Sequence, residues 1–180
     1  MSGTKDINWK SYVGPQDDNI TVTPESWVNP PDGGAGYSDI FKCSHVSGLT
    51  AIGIQIDASK CSEDAIDCVR GWNYRFQNCT AIGSVTIKGS IDGWLINDSL
   101  IHRVIEVGQF DNYWKPGTLP TRNGVLRNTC KPDGGKIHLV LWDAETPVIE
   151  NTNVQIWRIP KFIWFPYFCF RYLWIRIFKK

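Results

Sequence analysis

Short runs that alternate apolar and polar side chains recur through the middle of the chain. They are Ile66-Asp67-Cys68-Val69-Arg70-Gly71, Val85-Thr86-Ile87-Lys88-Gly89, Val104-Ile105-Glu106-Val107-Gly108 and Ile137-His138-Leu139-Val140-Leu141. A period of two marks a strand with one face buried. After each run comes a four-residue phrase made of an apolar residue, any residue, Asn or Asp, and a small hydroxyl or thiol. Its copies are Phe76-Gln77-Asn78-Cys79, Ile96-Asn97-Asp98-Ser99, Leu126-Arg127-Asn128-Thr129 and Ile149-Glu150-Asn151-Thr152. Asn and Asp suit a turn, because both tolerate the left-handed backbone region and can bond their own chain locally. Each unit therefore predicts two strands and a turn. A further unit opens at Val154–Ile159, and an earlier one is expected through Ile52–Asp57.

From Gly71 to Gly89 to Gly108 the units repeat at roughly twenty residues, the length of one coil of a β-solenoid rather than of a propeller blade or helical repeat. On this strand, Gly, strand, Asn periodicity, residues 40–159 resemble the right-handed parallel β-helix superfamily, the pectate-lyase-like proteins, with small β-helix proteins of phage particles and other surface assemblies among them. The resemblance implies an all-β fold: a short single-stranded right-handed parallel β-helix over 40–159, behind an irregular lead-in over 1–39. It says little about activity, since one fold hosts many functions. One coil is interrupted by the Gly-, Pro- and aromatic-rich stretch from Gln109 to Gly124. Insertions in solenoids emerge as loops on one face, and Phe110, Tyr113 and Trp114 on this one are expected to stack on a sugar ring or anchor a partner.

The last 21 residues, 160–180, change character. Phe170, Leu173, Trp174, Ile177 and Phe178 fall at helical spacing, with Arg171, Arg176, Lys179 and Lys180 on the other side, which predicts an amphipathic α-helix. Pro160, Pro166, Lys161, Arg171 and Arg176 argue against a membrane span, since a buried Arg costs about 3 kcal/mol. Such a helix could cap the solenoid, lie on a membrane surface, or dock into a neighbouring subunit. Capping needs few contacts, and the segment offers about a dozen apolar side chains, so a partner is expected.

Composition narrows the remaining chemistry. With 180 residues and a net charge of +1, the chain suits one soluble domain without the global field that would draw in nucleic acid. Met1–Val13 has no apolar stretch of the secretory kind, which points to synthesis in the cytoplasm, with a virion, an assembled particle or the membrane periphery as destination. The six cysteines lack a C-x-x-C pair, and no metal or cofactor is expected from their spacing or from any phosphate-binding glycine loop. Glu63, Asp64 and Asp67 are the place to look for catalysis, because cleavage of a glycosidic bond needs two facing carboxylates. The Gly-His-Gly and Arg-x-Lys companions found in β-helix hydrolases resembling polygalacturonases are missing here. The sequence thus favours a non-enzymatic structural or assembly component that self-associates, or docks to other structural proteins, through its C-terminal helix, with possible polysaccharide binding. A polysaccharide depolymerase, hydrolase or lyase, acting through the carboxylates is the alternative, and a peripheral membrane protein the third reading.

Overall fold

The computed structural model describes residues 7–10, 12–109 and 119–159. Within these residues the protein is all-β, and every strand pair is parallel. Three runs of pairing are visited in turn. The first contains β2 (Tyr12–Val13), β5 (Asp39–Ser47), the opening half of β8 (Asp64–Gln77), β10 (Ser84–Lys88), β13 (Val104–Gly108), β15 (Ile137–Trp142) and β17 (Val154–Ile159). The second contains β3 (Thr21–Val22), β6 (Thr50–Ile52), the closing half of β8, β11 (Asp92–Asn97), β14 (Arg122–Arg127) and β16 (Val148–Glu150). Because β8 passes unbroken through both, the two runs form one curled sheet. A third, shorter run stacks β7 (Gln55–Asp57), β9 (Thr80–Ile82) and β12 (Leu100–Ile101). A two-stranded pair joins β1 (Ile7–Asn8) to β4 (Trp27–Val28).

Register brings like residues into rows, and the rows are the core. In the first run, Phe41, Ile66, Val85, Ile105, Leu139 and Ile156 lie opposite one another in successive layers. In the second, Val22, Ala51, Phe76, Ile96, Leu126 and Ile149 do the same. The repeat phrase predicts this stacking of Phe76, Ile96, Leu126 and Ile149. All but the last member of each row are buried, so apolar side chains facing inward from every layer supply the main stabilisation.

The phrase itself is a corner device. Asn78, Asp98, Asn128 and Asn151 all adopt left-handed backbone, with φ of 52°, 50°, 47° and 46°. Asn128 Nδ2 donates to Asp98 Oδ1 at 3.0 Å, and Asn151 Nδ2 donates to Asn128 Oδ1 at 3.1 Å, a polar ladder along the corner. The following hydroxyl turns back on its own layer: Ser99 Oγ donates to the Asn97 carbonyl at 2.8 Å, Thr129 Oγ1 to that of Arg127 at 2.8 Å and Thr152 Oγ1 to that of Glu150 at 2.9 Å. It also accepts from the neighbouring layer, Cys79 N to Ser99 Oγ at 3.1 Å and Thr129 N to Thr152 Oγ1 at 3.2 Å. A corner backbone that would otherwise lack partners is satisfied by side chains.

Ile52–Asp57 differs from the expected strand unit. It bends at Gly53 (φ 69°) between β6 and β7. Since Ile52 lies opposite Gln77, Gly53 and Ile54 stand where Asn78 and Cys79 stand one layer on. Glycine reaches the left-handed region without an Asn side chain, which hides the phrase from a residue-type search. The strand of that layer in the first run is β5, and the segment 1–39 contributes the short strands β1 to β4. The C-terminal helix expected over 160–180 lies outside the described residues.

Candidate functional site

The carboxylates singled out in the sequence gather at the start of β8. Ile66 and Cys68 face the core, so Asp67 between them faces outward, in register with Lys42, Thr86 and Glu106. A register shift between Ser84 and Val85 interrupts the strict alternation next to Asp64. Asp64 consequently reaches the same side as Thr86, whose Oγ1 donates to its Oδ2 at 2.9 Å. Asp39 lies opposite Asp64 on β5, and carboxylate oxygens of Asp39, Glu63 and Asp64 lie within 4.8 Å of one another. Lys88 Nζ sits 3.0 Å from Asp67 Oδ1.

This outward face is not open to water. Asp64 and Thr86 are fully buried, Glu106 is 1% exposed and Lys88 7%. Beside them the outward residues turn apolar: Val104, Val140 and Trp142 form a second small cluster with Trp157 and Ile159. Burial pushes the Asp67 carboxyl up to about 7, with Lys88 pulling the other way and Asp64 and Asp39 adding to the rise. Burial here penalises the charged form more than one cation favours it. A carboxyl titrating near neutrality is suited to proton transfer, and three clustered carboxylates are the donor type that a hard cation such as Ca2+ takes. Yet Ca2+ uses six to eight oxygens, and a polysaccharide would have to reach a carboxylate at Asp64 that has no exposed surface.

Other candidate groups are dispersed. His138 Nδ1 accepts from Trp157 Nε1 at 3.1 Å, and the two rings stack at 6.3 Å. His45 stands beside Ser44 Oγ, at 2.6 Å from Nδ1, and 3.3 Å from Arg70 Nη1 through Nε2. Ser44 is only 4% exposed, so this contact holds the imidazole in place rather than presenting a nucleophile. Cys43, Cys61, Cys68 and Cys79 are buried thiols. Burial pushes Cys61 up to about 11, away from the reactive thiolate. The aromatic group Phe110, Tyr113 and Trp114 lies outside the described residues, as do Phe170, Arg171, Leu173, Trp174, Arg176, Ile177 and Phe178. Among the described residues no helix is long and apolar enough to cross a membrane.

Sequence reading picked out Glu63, Asp64 and Asp67, and Lys88 only as one of several scattered basic residues, but missed Asp39, Thr86 and Glu106, which share their surroundings. Thr86 and Glu106 were open to detection: they occupy the position of Asp67 in the next two alternating runs, once those runs are aligned on Cys68, Ile87 and Val107 rather than on their glycines. No known protein family, curated protein or solved structure matches the chain.

Proposed function

We propose that the chain is a small solenoid of the parallel β-helix type that acts as a non-enzymatic structural component of a larger assembly, of the virion or surface kind, joined to copies of itself or to other structural proteins through residues 160–180. One observation carries this reading, and it lies at the C-terminal end of the stack. β17 pairs with β15 along one edge, and among the described residues no strand pairs with its other edge. On that last layer Ile156, which continues the inner row, is 40% exposed, and Val148 on β16 is 55% exposed. A six-residue parallel edge with apolar side chains is a template for another chain, and residues 160–180 leave from its last residue. The closed surroundings of Asp64 count against the depolymerase alternative.

The test is sedimentation of the full chain, and of Trp174→Ala, over a range of concentrations, beside flotation with anionic vesicles. If Trp174 is an interface anchor, truncating it costs about 2 kcal/mol, or about thirtyfold in association. Oligomers that weaken in Trp174→Ala without vesicle binding are the expected result. A monomer at all concentrations that floats with vesicles replaces assembly by the membrane reading.

A further inference from the structure

The corner where the first run turns into the second carries an open groove of about 500 Å3. Four layers contribute to it: Pro15 from the 3-10 turn after β2, His45 from β5, Arg70 and Trp72 from β8, and Ser90 and Asp92 at the start of β11. Its centrepiece is the Trp72 side chain, 53% exposed, where a residue of this size normally finds cover. Gly71 and Gly89 also line the groove, with φ of 115° and 83°. A Cβ on Gly71 would come within 2.4 Å of the Val46 carbonyl oxygen, so this position is kept bare by the backbone beneath it.

The polar groups around the indole are held in place. Arg70 and His45 contact each other at 3.3 Å, and Ser44 orients the imidazole from the other side. Arg122 donates to Asp92 Oδ2 from Nη2 at 2.8 Å and from Nε at 3.1 Å, and Asn123 Nδ2 donates to Oδ1 at 2.6 Å. These partners hold the Asp92 carboxyl below its usual range. Gln109 Nε2 donates to Ser90 Oγ and to the Leu119 carbonyl, both at 2.7 Å, which ties the Ser90 wall to Gln109 and Leu119.

We propose that this groove binds a pyranose ring of a polysaccharide chain, with the apolar face of the sugar on Trp72 and its hydroxyls toward Arg70, His45 and Asp92. A sugar ring has an apolar face of C–H groups and a rim of hydroxyls that both donate and accept. One exposed aromatic plane flanked by a guanidinium, an imidazole and a carboxylate meets both needs. A phosphate ligand fits worse, because among the described residues Arg70 is the one guanidinium that lines the groove and the Asp92 carboxylate lines it too. The site stands independently of the assembly reading: neither its residues nor its chemistry involve β17 or residues 160–180.

The experiment is native electrophoresis of the full chain through gels containing dissolved polysaccharide: a neutral β-glucan, a neutral galactomannan and polygalacturonate, each against a gel without polymer. Retardation is expected in at least one, and the identity of that gel separates a neutral from an acidic sugar. Trp72→Ala should weaken the retarding interaction at least tenfold and His45→Ala about threefold, whereas Trp72→Phe keeps most of it. Leu100→Ala, an exposed apolar position on the third run, should leave it unchanged. Trp72 lies on the surface, so its variants should keep the wild-type unfolding midpoint. Retardation in none of the three gels, or equal retardation of Trp72→Ala and wild type, overturns the proposal.

Discussion

The outward faces of the first and second runs start from the same alternating pattern and end in opposite surroundings. On the first, Asp67, Thr86, Lys88 and Glu106 point away from the core and are nevertheless buried or nearly so, and the row continues into Val140 and Trp142. On the second, Arg75 is exposed, Leu95 and Val125 are half-buried and Val148 is exposed. Alternation decides which side of a strand a residue occupies; it does not decide whether that side meets water. Parallel sheets are commonly covered on both faces, and here the two runs of one curled sheet divide between the covered and the open condition. Pairs of one cation with one carboxylate must then differ in worth: Lys88 with Asp67 has side chains 8% and 13% exposed, while Arg127 with Glu150 has 44% and 49%.

The largest break in the comparison should come at Lys88. Lys88→Met leaves the Asp67 carboxylate buried without its cation, and breaking a buried pair from one side costs about 3–5 kcal/mol. This cost should depend on pH. Asp67 titrates near 7 in the folded chain and near its ordinary value, about 4, when unfolded. Between those values the folded state holds a proton that the unfolded state has released, so raising the pH through this window weakens the fold. Lys88→Met removes a cation that restrains the rise, so its cost should be small at pH 4.5 and full at pH 8. Asp67→Asn, which does not titrate, should gain stability relative to wild type over the same interval. Urea unfolding of the three proteins at both pH values checks this; a cost of Lys88→Met independent of pH would mean that Asp67 is already charged at pH 4.5.

The corner ladder comes next in size. Asn128→Ala places an ordinary side chain at φ 47° and removes the bonds to Asp98 and Asn151. Left-handed backbone costs such a residue about 1–2 kcal/mol, and exposed hydrogen bonds add little. Asn128→Gly loses the same bonds but none of the backbone freedom. Alanine should therefore cost about 1–2 kcal/mol and glycine distinctly less, as read from urea midpoints. Equal costs would assign the effect to the side-chain ladder instead.

These positions also explain what was legible in the sequence. The corner phrase could be read because each of its residues acts locally, as an inward side chain, a left-handed turn or a hydroxyl bonded back to its own strand. Phe76, Ile96, Leu126 and Ile149 were placed in one row by it. In the layer of β5 and β6 a unit was expected through Ile52–Asp57, but its corner phrase escaped because Gly53 performs the turn without an Asn. The acidic group was half legible. Glu63, Asp64 and Asp67 are close in sequence, but Asp39 joins them through strand pairing 25 positions away in register and Lys88 through the next layer. Burial of that face is a tertiary property with no local signal, and the Trp72 groove is assembled from four layers whose spacing shows only after stacking.

Arg127 gives the smallest effect and the most direct comparison with Lys88. Its guanidinium donates from Nε to Asn97 Oδ1 at 2.9 Å and lies 3.8 Å from Glu150 through Nη1. Both sit on the outward side of the second run, where β14 pairs with β16. With each side chain nearly half exposed, water and salt screen the attraction, and ordering two long side chains offsets part of the gain. Arg127→Gln keeps a donor for Asn97 and should lower stability by less than about 0.5 kcal/mol, with the difference fading between low salt and about 1 M, where the Debye length is about 3 Å. Lys88→Met, behind a covered face, should keep most of its cost at the same salt concentration. Measuring both variants at pH 8 in low and high salt isolates cover as the variable, because each removes one cation from a carboxylate on the outward side of the same sheet. If Arg127→Gln costs as much as Lys88→Met, or if both fade equally with salt, the two faces do not differ in their access to water in solution.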